Sequence, residues 1–458
     1  MSGKNTVTRA IHTLLWCILS FSASVSANTS PPFERLRQDE NWTEWCRSSS
    51  KDDRPYKCIR PGLSSLLSLG GEARWRYAMT RGAAWENRSD GYDDAYFQRY
   101  VAFADWRFSS GVRIFTQLNS ALSSGLKQGP SPLDENRLSF QQVFLQLPVS
   151  ENWQARVGTQ ELHLGSGRLL DVREGPNVRR RYDALRLTSD VKGWKLDSFY
   201  GRPWRTSLGS FDDRVEYKQA IWGLYGVSPA ANSRRDLDLY YLGYRNREAN
   251  YFQGTGDEQR HTLGARIWGT RERFTLNWEL MLQWGRFENQ DIEAWSIATD
   301  TQYTLKRHPT TRVGLSANVA SGDRSPNDNK FGTFNAMFPR GNYFSELATL
   351  GPRNFFNVQP YFTVQPAPAI EVTTAINFYW RLSTKDGVYG PGGNVLKVDS
   401  GSDLRYVATE FSFTTTFNYT DATKLSLVYG RSFPAALVQQ TGNRGATDYF
   451  EITAKFLF

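Results

Sequence analysis

Beyond residue 27 the sequence contains no long hydrophobic run, and nowhere does it gather cysteine or histidine. No later segment stays apolar over the ~20 residues that a spanning helix needs, which excludes a helical membrane protein. The 458 residues hold only three cysteines and four histidines. His163, His261 and His308 fall in three separate segments, and no G-x-S-x-G, H-E-x-x-H or P-loop pattern occurs. Enzyme chemistry therefore has little to build on. Cys46 and Cys58 lack the second pair of ligands that a zinc site takes, so neither metal nor cofactor is expected. The net charge of +9 is spread among interspersed carboxylates, without the basic face of a nucleic-acid binder. The exception is Arg179-Arg180-Arg181, read as the outer end of a long loop, where it gathers anions, binds lipopolysaccharide phosphates or is simply solvated. Asp323, Ser325, Asn327, Asp328 and Asn329 carry enough oxygens for a hard cation. They lack the glycine and glutamate of an EF-hand, so a polar surface loop is the preferred reading.

Residues 1–27 read as a secretory signal, with Lys4 and Arg9 ahead of an apolar stretch and Val25-Ser26-Ala27 as the cleavage site. The expected mature chain starts at Asn28. In an exported protein Cys46 and Cys58 are most simply a disulfide, within a periplasmic segment spanning 28–66.

What the chain does have is alternation. The closing stretch YFEITAKFLF puts Phe450, Ile452, Ala454, Phe456 and Phe458 on one face and Tyr449, Glu451, Thr453 and Lys455 on the other. A period of two marks a strand whose faces meet different surroundings. Eighteen such segments recur, near 67–79, 97–108, 112–122, 138–147, 153–162, 182–189, 194–201, 214–227, 236–246, 260–270, 273–285, 294–305, 311–320, 354–365, 370–381, 404–416, 423–430 and 447–458. Connections after even-numbered segments are short, and those after odd ones mostly long. Trp and Tyr recur near the ends of the apolar faces.

Low mean hydropathy does not argue against a membrane here, because a barrel strand is apolar only on alternate residues. These features together predict an all-β fold: one transmembrane antiparallel β-barrel of about eighteen strands over 67–458, with lipid outside and water within. A soluble sandwich would need smaller domains and a linker, and none is visible. Location in the bacterial outer membrane follows, with a C-terminal Phe458 of the kind the barrel assembly machinery recognises.

With the apolar face outward, Arg74, Arg76, Arg99, Arg113, Arg156, Arg186, Arg266 and Arg381 point inward, together with Glu72, Asp105, Asp197, Glu279, Glu371 and Glu410. An excess of arginine at a constriction admits anions preferentially.

Several stretches resemble the alginate export family of outer-membrane porins: FERLRQDENW (33–42), GGEARWRY (70–77), residues 157–187, FDDRVEYK (211–218), RHTLGARIWG (260–269), residues 320–344 and WRLSTKDGVYG (380–390). The resemblance implies a monomeric barrel with an electropositive constriction that lets an anionic uronate polysaccharide leave the cell. It adds Arg168, Arg173, Arg179 and Arg340 to the pore candidates, with Asp183 and Asp323 as counter-charges. Gly158-Thr159-Gln160 departs from a Gly-Arg-Gln pattern, and parity points Thr159 to lipid. Partners are then an anionic polysaccharide or small anionic solute, outer-membrane lipid and lipopolysaccharide. The competing readings are a general or small-anion porin, a membrane-embedded lipid hydrolase and an adhesive barrel.

Overall fold

A computed structural model describes residues 33–48, 54–62, 64–85, 91–229, 235–396, 401–442 and 445–458. The expected signal, residues 1–27, lies outside them. Among the described residues eighteen strands form the wall: β1 Ser65–Arg81, β2 Tyr92–Phe108, β3 Arg113–Ser124, β4 Asn136–Pro148, β5 Trp153–Gln160, β6 Tyr182–Val191, β7 Trp194–Arg205, β8 Gln219–Val227, β9 Arg235–Tyr251, β10 Gly254–Arg271, β11 Phe274–Phe287, β12 Gln290–Arg307, β13 Thr310–Ala320, β14 Phe355–Ala367, β15 Ile370–Trp380, β16 Tyr406–Asn418, β17 Thr423–Pro434 and β18 Thr447–Leu457. Each pairs antiparallel with its chain neighbour. The barrel closes where β18 meets β1, in a register running from Glu72↔Leu457 to Arg81↔Asp448. Phe458 completes the seam, its backbone exchanging two hydrogen bonds with Gly71.

Every expected strand is present, and two differ in informative ways. β8 starts at Gln219 because Arg214–Val215 pairs instead with the end of β7. β9 and β10 run past their expected ends and meet in a two-residue turn, so the wall itself rises there.

Alternation sets the two faces. On β11, Trp278, Leu280, Leu282 and Trp284 are 44–49% exposed, a stripe that water would penalise and hydrocarbon accepts. From Phe274 to Trp284 the strand covers about 34 Å, or about 25 Å of height at a ~40° tilt, the depth of an outer-membrane apolar band. No helix among the described residues is long and apolar enough to cross a membrane; the strands do so.

The interior is not uniformly polar. Along β8 to β12 the inward side chains include Ile221, Tyr225, Tyr240, Leu242, Tyr244, Met281 and Ile292, all buried in one cluster with residues from long connections. From β1 to β5 the inner face carries Glu72, Arg74, Arg99, Asp105 and Arg113 instead.

The sequence left open whether the N-terminal segment hangs in the periplasm or folds into the lumen; its described residues pack against that charged half of the inner wall. Gln38 donates to the Glu161 carbonyl at 2.9 Å. Arg113 and Arg107 donate to the carbonyls of Gln38 and Glu40, both at 2.8 Å. Lys57 reaches the Phe458 carbonyl at 3.1 Å. The segment folds inward because Trp42, Trp45 and Leu66 bury one another around the Cys46–Cys58 disulfide, which is formed. Closing a loop of 12 residues contributes about 3 kcal/mol in the chain-entropy account.

Candidate functional site

Two long connections fold into the lumen and meet there. The first, 161–181, leaves β5, and the second, 321–354, leaves β13. Leu169, Leu170, Val172 and Val178 of the first and Phe334 and Phe338 of the second are buried, which pulls both segments off the outer surface and onto the apolar half of the wall. They pair backbone to backbone: Asp171 N–H to Phe338 O at 2.9 Å, Phe338 N–H to Leu169 O at 3.0 Å and Arg340 N–H to Gly167 O at 3.0 Å. The turn needs glycine. Gly165 has φ +52°, and a Cβ there would stand 2.1 Å from the Tyr225 hydroxyl.

The first connection is anchored on the charged half by ion pairs. Glu174 accepts from Arg99 and Arg179 at 2.5 Å and from Lys455 at 3.3 Å. Glu72 accepts from Arg99 at 2.5 Å and Lys455 at 3.2 Å. Arg74 donates to the carbonyls of Glu174 and Pro176, and Arg76 to that of Gly175 at 2.6 Å. Burial opposes ionisation of Glu174, but Arg179, Arg99, Lys455 and Arg74 together hold its carboxyl well below the usual carboxylate range.

On the short-turn side Asp171, fully buried, accepts from Arg35 at 2.7 and 3.0 Å and shares a 2.7 Å hydrogen bond with His163. Arg35 belongs to the N-terminal segment, so this cluster ties that segment to the inward loop.

Beside the loops lie two adjoining cavities of about 590 and 560 Å³, and the first runs from the long connections down to Lys424 and Lys455 near the short-turn end. Both are lined by Arg173, Arg180 and Arg353. Among the described residues none of these three has an ion-pair partner. Arg180 lies over Phe338 at 4.9 Å and donates to the Asp171 carbonyl at 3.4 Å. Arg353 donates to Asn335 at 2.9 Å and sits 4.6 Å from the Tyr251 ring centre. Burial, with the Arg180 charge beside it, lowers Arg173 to about 9, still cationic at neutral pH. Arg173 and Met337 adopt φ +62° and +57°, a conformation that costs a non-glycine residue roughly 1 kcal/mol and recurs at functional sites.

The sequence candidates thus separate into groups. Arg74, Arg76 and Arg173 line the larger cavity. Arg99, Arg113, Arg168, Arg179 and Arg266 are buried and spent on Glu72, Asp105, Glu279, Glu174 and Asp238. Arg156 faces inward at the short-turn end, where it bonds Gln146 at 2.8 Å, and Arg340 donates to the Tyr343 carbonyl.

Four expectations are corrected. The Arg179-Arg180-Arg181 run is not a solvated outer loop: Arg179 and Arg181 are buried, and Arg181 pairs with Asp213 at 2.5 Å. Asp183 is no pore counter-charge, because it lies on the outer face of β6, where Thr159 and Trp204 donate to it. Thr159 is on the outer face, as parity indicated. Arg381 is buried and donates to the carbonyls of Leu404 and Ser402, bracing a loop. Asp323 is buried beside Asp386, with Gln253 donating to both at 3.2 Å; no cluster of metal-ligating side chains occurs among the described residues. Arg353 and Arg35 escaped the sequence reading, since neither lies on a strand whose parity would aim it.

Fold and interior define a large outer-membrane barrel with inward-folded loops and a cationic vestibule. A family model described as alginate export matches residues 65–451, and the chain belongs to that family. Among solved structures, Pseudomonas aeruginosa OccK8 (OprE) superposes with a TM-score of 0.58 at 12% identity, covering 86% of this chain and 98% of that one. P. aeruginosa OccK2 (OpdF) in complex with glucuronate gives 0.56 at 12% identity, over 86% and 96%. Acinetobacter baumannii OccAB1 gives 0.54 at 14% identity, over 88% and 99%. At these identities the structures share the fold. No curated protein sequence matches the chain. Family and fold point to an outer-membrane channel rather than an enzyme.

Proposed function

We propose that the channel is anion-selective and that its solute is an acidic, uronate-bearing polysaccharide such as alginate. The observation that carries this reading is the set of Arg173, Arg180 and Arg353 around one open vestibule without carboxylate partners. A guanidinium offers paired donors that match a carboxylate, and a uronate chain repeats that carboxylate on every ring. Several cationic sites in succession let a polyanion bind and still move on.

A second reading, passage of single small anions, is favoured by the cavity itself. Its volume of about 590 Å³ lies in the range of roughly 300–1,000 Å³ typical of small-molecule sites. OccK2, which shares the fold, was solved in complex with glucuronate, a single uronate.

Single-channel recording with added sugars tests both. Polysaccharide passage predicts block by oligouronates that strengthens with chain length. Small-anion passage predicts block by a monouronate with no length dependence. Equal effects of uronates and neutral oligosaccharides of the same length would contradict both.

A further inference from the structure

The outer wall of β7 to β11 carries a two-row pattern that the channel does not require. In register across the strands, Tyr200 pairs with Trp222, Trp222 with Gly243, Gly243 with His261 and His261 with Trp284. Their rings form a nearly continuous band. Tyr200 and Trp222 are 6.5 Å apart, Trp222 and His261 6.3 Å, and His261 and Trp284 5.7 Å; Tyr241 stacks on His261 at 5.9 Å. This row lies at the top of the apolar band measured on β11, where amphipathic rings settle.

Two residues further along β7 and β9, on the same face, the chemistry changes. Arg202 stands beyond Tyr200 on β7, and Arg245 beyond Gly243 on β9. With Lys218 and Arg247 they line an external groove of about 240 Å³, floored by Trp222 and Tyr200. Arg245 pairs with Asp257 at 3.0 Å, and Lys218 with Glu248. Arg202 and Arg247 have no ion-pair partner among the described residues. Arg202 instead donates to the Tyr217 carbonyl at 2.9 Å and lies 5.3 Å from the Tyr217 ring centre. Counting these side chains, four cations face two carboxylates, and Tyr217, 70% exposed, overhangs the groove.

A basic groove directly above an aromatic row, on the lipid-facing wall and at the long-loop end, matches one kind of molecule in chemistry and depth: a membrane glycolipid whose phosphates sit where its acyl chains begin. We infer that the β7–β10 wall binds a phosphorylated glycolipid of the outer leaflet, its acyl chains lying along Tyr200, Trp222 and Leu224 and its phosphate on Arg202, Arg245 and Arg247. The Arg179–Arg181 run plays no part, being turned into the lumen.

Native mass spectrometry of the full chain in detergent tests this by titration with diphosphoryl lipid A, monophosphoryl lipid A and inorganic phosphate. Diphosphoryl lipid A is expected to bind more tightly than the monophosphoryl form, and millimolar inorganic phosphate is expected not to displace it. A basic residue at an anionic surface contributes about fivefold in affinity, so Arg202→Ala/Arg245→Ala/Arg247→Ala binds on the order of 100-fold more weakly. The corresponding triple Lys variant retains most of the affinity. Arg271→Ala/Arg273→Ala/Arg307→Ala, at the opposite rim, serves as the control, and heat-modifiable gel migration reports that each variant is folded. Equal weakening by the control triple, an unchanged affinity of the first triple, or displacement by inorganic phosphate would overturn the inference.

Discussion

Arg99 and Arg173 are both guanidinium groups inside one barrel, and their surroundings give them opposite consequences. Arg99 is fully buried between Glu72 and Glu174, so removing it takes a 2.5 Å partner from both carboxylates at once and leaves Arg179 and Lys455 to compensate them. Arg99→Ala is expected to destabilise the barrel by about 3–5 kcal/mol, read from the urea midpoint in detergent. Arg173 has no such partner, and burial with Arg180 already opposes its charge. Arg173→Ala should leave the unfolding free energy within about 0.5 kcal/mol of the parent or raise it, and the triple Arg173→Ala/Arg180→Ala/Arg353→Ala should lose only about 1 kcal/mol for each hydrogen bond that Arg180 and Arg353 give up, while both lower the anion-to-cation permeability ratio. A large loss of stability in the triple variant would show that these side chains brace the fold. The sequence placed Arg99 by strand parity and Arg173 by family likeness, yet it could not tell a braced arginine from an available one. That distinction depends on where Glu174 lands, and Glu174 sits on a connection that alternation does not describe.

Strand positions were legible because hydrocarbon on one side imposes a strict period of two, and the eighteen expected segments match the wall strand for strand. The inward connections were not, although β9 held a clue. Leu239 and Tyr241 face out while Tyr240, Leu242 and Tyr244 face in, so that strand is apolar on both sides. A strand greasy on both faces must meet something apolar within, here the loops carrying Leu170 and Phe338. The N-terminal segment likewise gave no sign of its destination, because Arg35, Gln38 and Glu40 read as ordinary polar residues. Its clamp carries a pH prediction. Burial opposes ionisation of Asp171, but the His163 hydrogen bond and the Arg35 charge hold its carboxyl below the usual range. The attraction of such a carboxylate is complete above the unfolded value of about 4 and is lost as pH falls through the folded one. Conductance is therefore expected to stay flat from pH 8 to pH 5. Asp171→Asn at neutral pH, or deletion of 33–62, should raise it by freeing lumen space. A step in the parent anywhere between pH 8 and pH 5 would contradict this.

At the scale of the whole molecule, the barrel wall supplies a rigid frame, the apolar half of its lumen receives two loops, and the charged half receives the N-terminal segment. What remains between them is a passage whose available charge is cationic at the long-loop end. Heating without reducing agent should convert a fast-migrating folded form to a slow one on gels, as a closed eighteen-stranded wall requires. The most direct measurement is the reversal potential of the reconstituted channel under a tenfold potassium chloride gradient. A sign set by chloride is expected, shifted toward zero by the Arg173, Arg180 and Arg353 triple variant. A sign set by potassium, or a value the triple variant leaves untouched, would contradict it.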